Sequence, residues 1–321
     1  MSSGSHIRNH NFQKNIVVLA GGVGGAKLAD GLAQIMPAER LTIIVNTGDD
    51  FDHLGLRICP DLDTVVYTLA GVANPETGWG RADESWRVIE EVIRLGGPGW
   101  FRLGDLDLAT HLVRGQLLAQ GATLTEAIQH LCRQFGLTMN IWPMSDDPAP
   151  TMIETDGRLL DFQTWFVEQR WQPAVRDVHL PEDVRATPQV LTALEQADVV
   201  LLAPSNPFVS LAPILNVYPI RAMIADLPEL VVAVSPIVGD RAVKGPAGRL
   251  LADFGLPVSG AGVAEYYGDL LDLFIYDQRD QTKPAVPELA VRALDTLMRD
   301  RADRARLAEE VLATTMELIA R

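Results

Sequence analysis

Asn15-Ile16-Val17-Val18-Leu19-Ala20-Gly21-Gly22-Val23-Gly24-Gly25-Ala26-Lys27 is the stretch on which the reading of this chain turns. A short β-branched apolar run that ends in glycines is the pattern of a strand buried on both faces. Leu28, Leu32 and Ile35 then recur at helical spacing until Pro37, and Leu41-Thr42-Ile43-Ile44-Val45-Asn46 reads as a second strand. Strand, glycine turn, helix, strand is a βαβ unit, the opening unit of doubly wound, Rossmann-like α/β folds.

Further along, helical patterns cover about 62–73, 85–95, 105–120 and 124–135, the last opened by a capping box of Thr123 and Glu126. Residues 139–180 break the rhythm with Trp142, Trp165, Trp171 and an Asp156-Gly157 turn between short apolar runs, which predicts a small hairpin-bearing cap. Val199 to Ala203 and Leu230 to Val234 are again buried-strand runs, Leu270 to Tyr276 is a further strand candidate, and 299–320 reads as a charged C-terminal helix. The expectation is a mostly parallel sheet in one Rossmann-like domain over 15–321, with a smaller α/β cap inserted at about 139–180. Residues 1–14 read as a tail, starting with the tag-like Ser2-Ser3-Gly4-Ser5-His6.

The composition narrows the function classes. In 321 residues, 47% are hydrophobic and 21% charged, ordinary for a globular chain with a real core. Lys and Arg number 27 against 42 Asp and Glu, a net charge of −15, which disfavours nucleic acid as a partner. A small anionic ligand is still open, because backbone amides bind phosphate locally. Cys59 and Cys132 are too few for a disulfide framework, so a reducing cytoplasm is the expectation. No run approaches a membrane span, and no signal peptide opens the chain.

In open parallel sheets ligands sit beyond the carboxyl ends of the strands. The loop after the first strand offers Gly21, Gly22, Gly24, Gly25 and Lys27 to an anion. It lacks the second glycine and final Ser/Thr of a Walker A loop, and it puts Lys27 where a dinucleotide fingerprint wants glycine. The alternative is a plain strand-to-helix turn. After the second strand come Asp49, Asp50, Asp52, Asp61 and Asp63, five carboxylates within fifteen residues, hard ligands suited to Mg²⁺ beside phosphates. Helix capping is the competing role for Asp61 and Asp63. Asp107, His111 and Arg114 lie at i, i+4 and i+7 and share a helix face, which reads equally well as an exposed polar stripe. Pro143 to Pro148, Pro204-Ser205-Asn206-Pro207 and Ser235 through Lys244 to Gly248 are stiff polar loops suggesting a ligand crevice. No nucleophilic triad or cysteine site stands out; positioning, charge neutralisation and metal are the chemistry on offer.

These segments, in order, resemble the 2-phospho-L-lactate transferase family. The resemblance rests on Gly21–Lys27, Asn46-Thr47-Gly48-Asp49-Asp50, Pro60-Asp61-Leu62-Asp63-Thr64, Leu103-Gly104-Asp105-x-Asp107-x-Ala109-Thr110-His111, Pro143-Met144-Ser145-Asp146-Asp147-Pro148, Pro204–Pro207, Ser235-Pro236-Ile237, Gly245–Gly248 and Gly262-Val263-Ala264-Glu265-Tyr266-Tyr267. The glycine turn differs from many relatives in having no Thr.

The resemblance implies a Mg²⁺-dependent enzyme of coenzyme F420 biosynthesis. It would move a phospholactyl or enolpyruvyl-phosphate group from a guanosine diphosphate conjugate to the deazaflavin Fo, releasing GMP. It implies that Asp63 and Arg102 bind Fo and belong, with Asp50, to the catalytic set. On the same basis Asp49, Asp50 and Asp61 would hold the metal, and a homodimer is expected. The glycine turn with Lys27 would take the diphosphate. Ser205, Asn206 and Lys244 are assigned to the nucleotide from loop placement. Two rivals fit less well. A nucleotide-sugar-binding regulator of the same superfamily should lack the Pro-Met-Ser-Asp-Asp-Pro segment and Arg102. An NAD-dependent oxidoreductase would want Gly-x-Gly-x-x-Gly and one acid after the second strand, not a cluster.

Overall fold

The computed structural model describes residues 13–226, 228 and 230–320. Seven strands form one sheet: β1 (Ile16–Ala20), β2 (Leu41–Val45), β3 (Asn140–Pro143), β4 (Val199–Leu202), β5 (Leu230–Val234), β6 (Leu273–Asp277) and β7 (Ala290–Leu294). Their spatial order is β3-β2-β1-β4-β5-β6-β7 and every pairing is parallel. The chain runs outward from β1 through β2 to β3, then returns to the other side of β1 to build the second half. The order therefore reverses between β1 and β4, and a crevice opens there at the strands' carboxyl ends.

Alternation along β1 shows how the sheet is covered. Ile16, Val18 and Ala20 pack on one face with helices α1 (Gly22–Ile35), α2 (Pro60–Leu69) and the C-terminal α5 (Arg301–Ile319). Val17 and Leu19 face the other core, which includes Trp165, Phe208 and Phe274. All five β1 residues are buried, as expected where helices cover both faces of a parallel sheet. Asp30 of α1, 2% exposed, meets Arg304 of α5 at 3.1 Å and ties the last helix to the first.

The long crossover from β2 to β3 holds a hairpin of Phe51–His53 with Leu56–Ile58, then α2, the helix Arg87–Arg94, α3 (Asp105–Ala119) and α4 (Leu124–Gln134). Thr123 and Glu126 form the expected capping box on α4. The crossover from β3 to β4 carries a three-stranded antiparallel sheet, Met152–Thr155, Arg158–Asp161 and Val175–His179, with the Asp156-Gly157 turn joining the first two strands. Two sequence boundaries move. Asn140–Pro143, read as the start of the insertion, is the edge strand of the main sheet, because it pairs with β2. Of the tail read as 1–14, residues 1–12 lie outside the described residues, whereas Lys14 is anchored to Asp198 at 2.7 Å. No helix among the described residues is long and apolar enough to cross a membrane.

Candidate active site

A cleft of about 680 Å³ occupies the crevice above β1 and β4. The glycine turn forms its floor. Gly21 caps α1, and its N–H donates to Ser205 Oγ at 3.0 Å while Ser205 donates back to the Gly21 carbonyl at 2.8 Å. That reciprocal pair stitches the β1 loop to the β4 loop across the switch point. Gly24 serves the same closeness: a Cβ there would stand 2.1 Å from the Pro204 carbonyl oxygen. It is a packing glycine as well as part of the cleft, so the tight-turn role weighed against phosphate binding is present here.

Asp61 reaches this turn from α2. Its helix opens with Pro60 at the first position, where no N–H is lost, and with acids in the first turn, where the helix dipole favours them. Asp61 Oδ1 accepts the Gly22 N–H at 2.6 Å, and Asp61 Oδ2 accepts the Asn46 amide at 2.9 Å. The same Asn46 Nδ2 lies 3.3 Å from Asp49 Oδ1, and Gln163, in the helical turn after the inserted strand Arg158–Asp161, donates to Asp49 Oδ2 at 3.2 Å. Two buried carboxylates thus share one amide, and among the described residues neither forms an ion pair. Burial, then the charges of Asp61 and Asp50, hold the Asp49 carboxyl well above the usual range. Burial pushes Asp61 up to about 6 despite the bonds from Asn46 and Gly22. Hard oxygen donors carrying uncompensated charge suit a divalent cation such as Mg²⁺.

Asp50, its sequence neighbour, is elsewhere. It does not line the cleft. Burial pushes it up to about 8, partly offset by a hydrogen bond from Cys59 and by the charges of Arg114 and Arg57. Its surroundings are Cys59, Arg114, Arg57 and Asp63, so of the three acids expected at the metal only Asp49 and Asp61 line the cleft.

Asp63, one helical step past Asp61, lines the cleft but is fully engaged. Arg114 Nη1 and Nη2 meet its two oxygens at 2.6 and 2.9 Å. His111 and Arg114 are 1% and 0% exposed, so the α3 face read as a possible exposed stripe is buried against α2. Asp63, Asp107 and His111 have the spacing of a metal site, yet the guanidinium already supplies the positive charge there. Arg102 lines the same end of the cleft, its guanidinium 4.8 Å from the Trp86 ring, with no carboxylate partner among the described residues.

Lys27 donates to the Met298 carbonyl at 2.8 Å, and burial together with Arg304 and Lys244 lowers its pKa. Lys244 donates to the Thr77 carbonyl across the cleft mouth at 2.8 Å. Asn206 Oδ1 accepts from Phe208 and Val209 N–H, while its buried Nδ2 has no partner. Ser235 also lines the cleft, but the 143–148 loop does not. Ser145 there bonds the Arg185 carbonyl and Asp146 caps α4 through Thr125, so that loop is scaffold. The sequence reading missed Asn46, Gln163 and the Arg114 clamp, and it missed Trp79, Phe162 and Phe166, which give the cleft an aromatic wall. The i, i+4, i+7 spacing on α3 was the one signal pointing toward Arg114.

The cleft thus brings together two lysines, a buried carboxylate pair, several aromatic rings and a guanidinium with no carboxylate partner among the described residues. The family model described as 2-phospho-L-lactate transferase CofD matches residues 16–317. A 2-phospho-L-lactate transferase from Methanosarcina barkeri is 41% identical over 302 residues, 92% of this chain and 97% of the relative. A phosphoenolpyruvate transferase from Streptomyces avermitilis is 45% identical over 314 residues, 94% of this chain and 98% of the relative. The crystal structure of a UPF0052-family protein from Bacillus halodurans has a TM-score of 0.63 at 14% identity, over 94% of this chain and 100% of that one, a likeness of fold.

Proposed function

The chain belongs to the 2-phospho-L-lactate transferase CofD family, and from that premise we propose how its cleft performs the transfer. A guanosine diphosphate conjugate binds with its diphosphate over the glycine turn, and Lys27, Lys244 and the Asn206 amide hold its oxygens. The deazaflavin Fo lies at the other end, its ring against the aromatic wall and its polar groups at Arg102 and Asp63. The terminal ribityl hydroxyl attacks the phosphorus that bears the lactyl or enolpyruvyl group, and GMP leaves. The product is an intermediate of coenzyme F420.

The observation that carries this reading is the Asp49–Asp61 pair: two buried acids beside the glycine turn with no ion-pair partner among the described residues. Asp49 and Asp61 would hold Mg²⁺, which when bound neutralises the diphosphate and eases departure of GMP. The residues themselves do the aligning. Asn46 keeps the two carboxylates side by side, Gln163 ties the inserted segment to Asp49, and Arg114 fixes Asp63 as a hydrogen-bond acceptor rather than a base. Holding both reactants in line is the main demand of such a transfer.

Incubating the protein with Fo, Mg²⁺ and either the lactyl or the enolpyruvyl diphosphoguanosine tests the proposal. Mass spectrometry should find Fo enlarged by one phospholactyl or enolpyruvyl-phosphate group, with an equal amount of GMP. Unmodified Fo with both donors would remove the reading.

A further inference from the structure

The carboxylates around the cleft leave one question open: which of them accepts the proton of the attacking hydroxyl. Asp63 has both oxygens on Arg114. Asp49 and Asp61 are tied to Asn46, Gln163 and the Gly22 N–H, and their remaining capacity suits a cation. Asp50 lies outside the cleft. Asp107 remains. It lines the cleft beside Asp63 and Arg102, in the first turn of α3.

The surroundings of Asp107 fix one oxygen and leave the other open. Glu84 accepts the N–H groups of Leu106 and Asp107 at 2.7 and 2.8 Å and so anchors the start of the helix. Tyr67 Oη donates to Asp107 Oδ1 at 2.8 Å. His111 Nε2 approaches the same oxygen at 3.4 Å. The tautomer of His111 follows from its other nitrogen. Arg114 Nη2 meets Nδ1 at 2.6 Å, and a guanidinium can only donate, so Nδ1 is the acceptor and Nε2 carries the hydrogen. Oδ1 thus accepts from Tyr67 and faces His111 Nε2–H at 3.4 Å, outside hydrogen-bond geometry. Oδ2 has no partner among the described residues.

We propose that Asp107, through Oδ2, takes the proton from the attacking hydroxyl of the acceptor, with Tyr67 and His111 as its positioning residues. The inference rests on the transferase reading above and assigns its base. In the step, the hydroxyl O–H breaks and its proton goes to Asp107. The hydroxyl oxygen bonds to phosphorus, the bond from phosphorus to the GMP oxygen breaks, and its electron pair leaves on GMP. Water afterwards takes the proton from Asp107. Burial raises the Asp107 carboxyl, but His111, Tyr67 and Arg114 bring it below its ordinary value. A weakly basic carboxylate suffices when the attacking oxygen loses its proton late in a loose transfer, as with the aspartate of protein kinases.

Asp107→Asn tests it, because the amide keeps the shape and Tyr67 can still donate to its oxygen. Turnover should fall by about 10²–10⁴-fold, the usual worth of a positioned base. Fo affinity by fluorescence and GDP affinity by calorimetry should stay within about twofold of the wild type. Asp107→Ala should lose as much turnover and recover part of it in formate, whereas the wild type gains nothing from formate. Wild-type turnover in Asp107→Asn, or a defect confined to Fo affinity, would overturn the assignment, and so would failure of formate to help a folded Asp107→Ala. Wild-type protein that makes no product from either donor would instead overturn the transferase reading beneath it.

Discussion

Asp61 and Asp63 stand two residues apart in the first turn of α2, and they are almost equally buried, at 8% and 6% exposed. Their electrostatics are opposite. Asp63 meets a guanidinium that is itself fully buried and that donates to both its oxygens. Asp61 has only dipoles, an amide and a backbone N–H, and a second carboxylate sharing that amide. A buried charge that is paired behaves as a finished piece of scaffold; a buried charge left unpaired costs free energy and is kept where a ligand supplies the counter-charge. One helix turn thus presents a paired carboxylate and, beside it, the unpaired one proposed to hold a cation.

The largest expected effect falls on the unpaired side. Asp61→Ala, or excess EDTA on the wild type, should cut turnover on the order of 10³-fold, the several kcal/mol that a metal provides at a transferring phosphoryl group. The melting temperature of Asp61→Ala should hold or rise, because removing one of two repelling buried acids relieves strain. A variant that melts markedly earlier would mean that Asp61 is scaffold, like its neighbour. Asp50→Ala, away from the cleft, should cost far less rate than Asp61→Ala.

On the paired side the cost shifts from rate to stability. Arg114→Leu strands Asp63 without its partner and should destabilise the protein by about 3 kcal/mol or more, read from urea unfolding. Arg114→Leu combined with Asp63→Leu should recover much of that loss while Fo affinity stays poor. If the double variant is no more stable than the single one, the two groups are not acting as a pair.

The contrast between the two acids was invisible in the sequence, and the reason is physical. A run of five aspartates states how much charge is present and nothing about what neutralises it. The neutralising arginine lies 51 residues from Asp63, and the amide on Asp49 comes from a residue 114 positions away. Neighbours in a tight turn also point apart, which is why Asp49 and Asp50 part company. By contrast β1, its glycine turn and β2 were legible, because burial on both faces demands a continuous apolar run and the periods of 2 and 3.6 are local properties. The edge strands were not. β7, Ala290–Leu294, is only partly buried, and β3 is short and ends in proline, so neither shows the apolar run that marks a central strand.

At Arg102 the comparison sharpens into an exposed charge against a buried one. Arg102 has no carboxylate to leave behind, so Arg102→Ala should not destabilise the fold. It should weaken Fo binding by roughly tenfold, on the order of 1.4 kcal/mol for one charge-assisted contact, and leave GDP affinity unchanged. Fluorescence titration with Fo and calorimetry with GDP separate the two. Equal losses for both ligands would move Arg102 to the nucleotide side.

The smallest effect belongs to His53, which packs between Trp100 and Phe101 at ring separations of 5.2 and 5.8 Å with its Nε2 buried and unpartnered. Burial lowers its pKa, only partly countered by a hydrogen bond to the Phe101 backbone. The unfolded chain therefore binds the proton more readily than the folded one. The stabilisation is complete above the ordinary histidine value of 6.5 and drains away as pH falls below it toward the folded value. His53→Phe keeps the aromatic packing and removes that proton. Relative to the variant, the wild type should lose stability between pH 7.5 and 5.5, by less than the roughly 1.4 kcal/mol that a whole pKa unit carries. Here too a charge would be buried without a partner, but proton and cation act in opposite senses. A cation at Asp49 and Asp61 would cancel charge that is already buried, whereas a proton on His53 would create it. If wild type and variant track each other across that range, the ring is hydrated in the folded state and His53 is no part of the contrast.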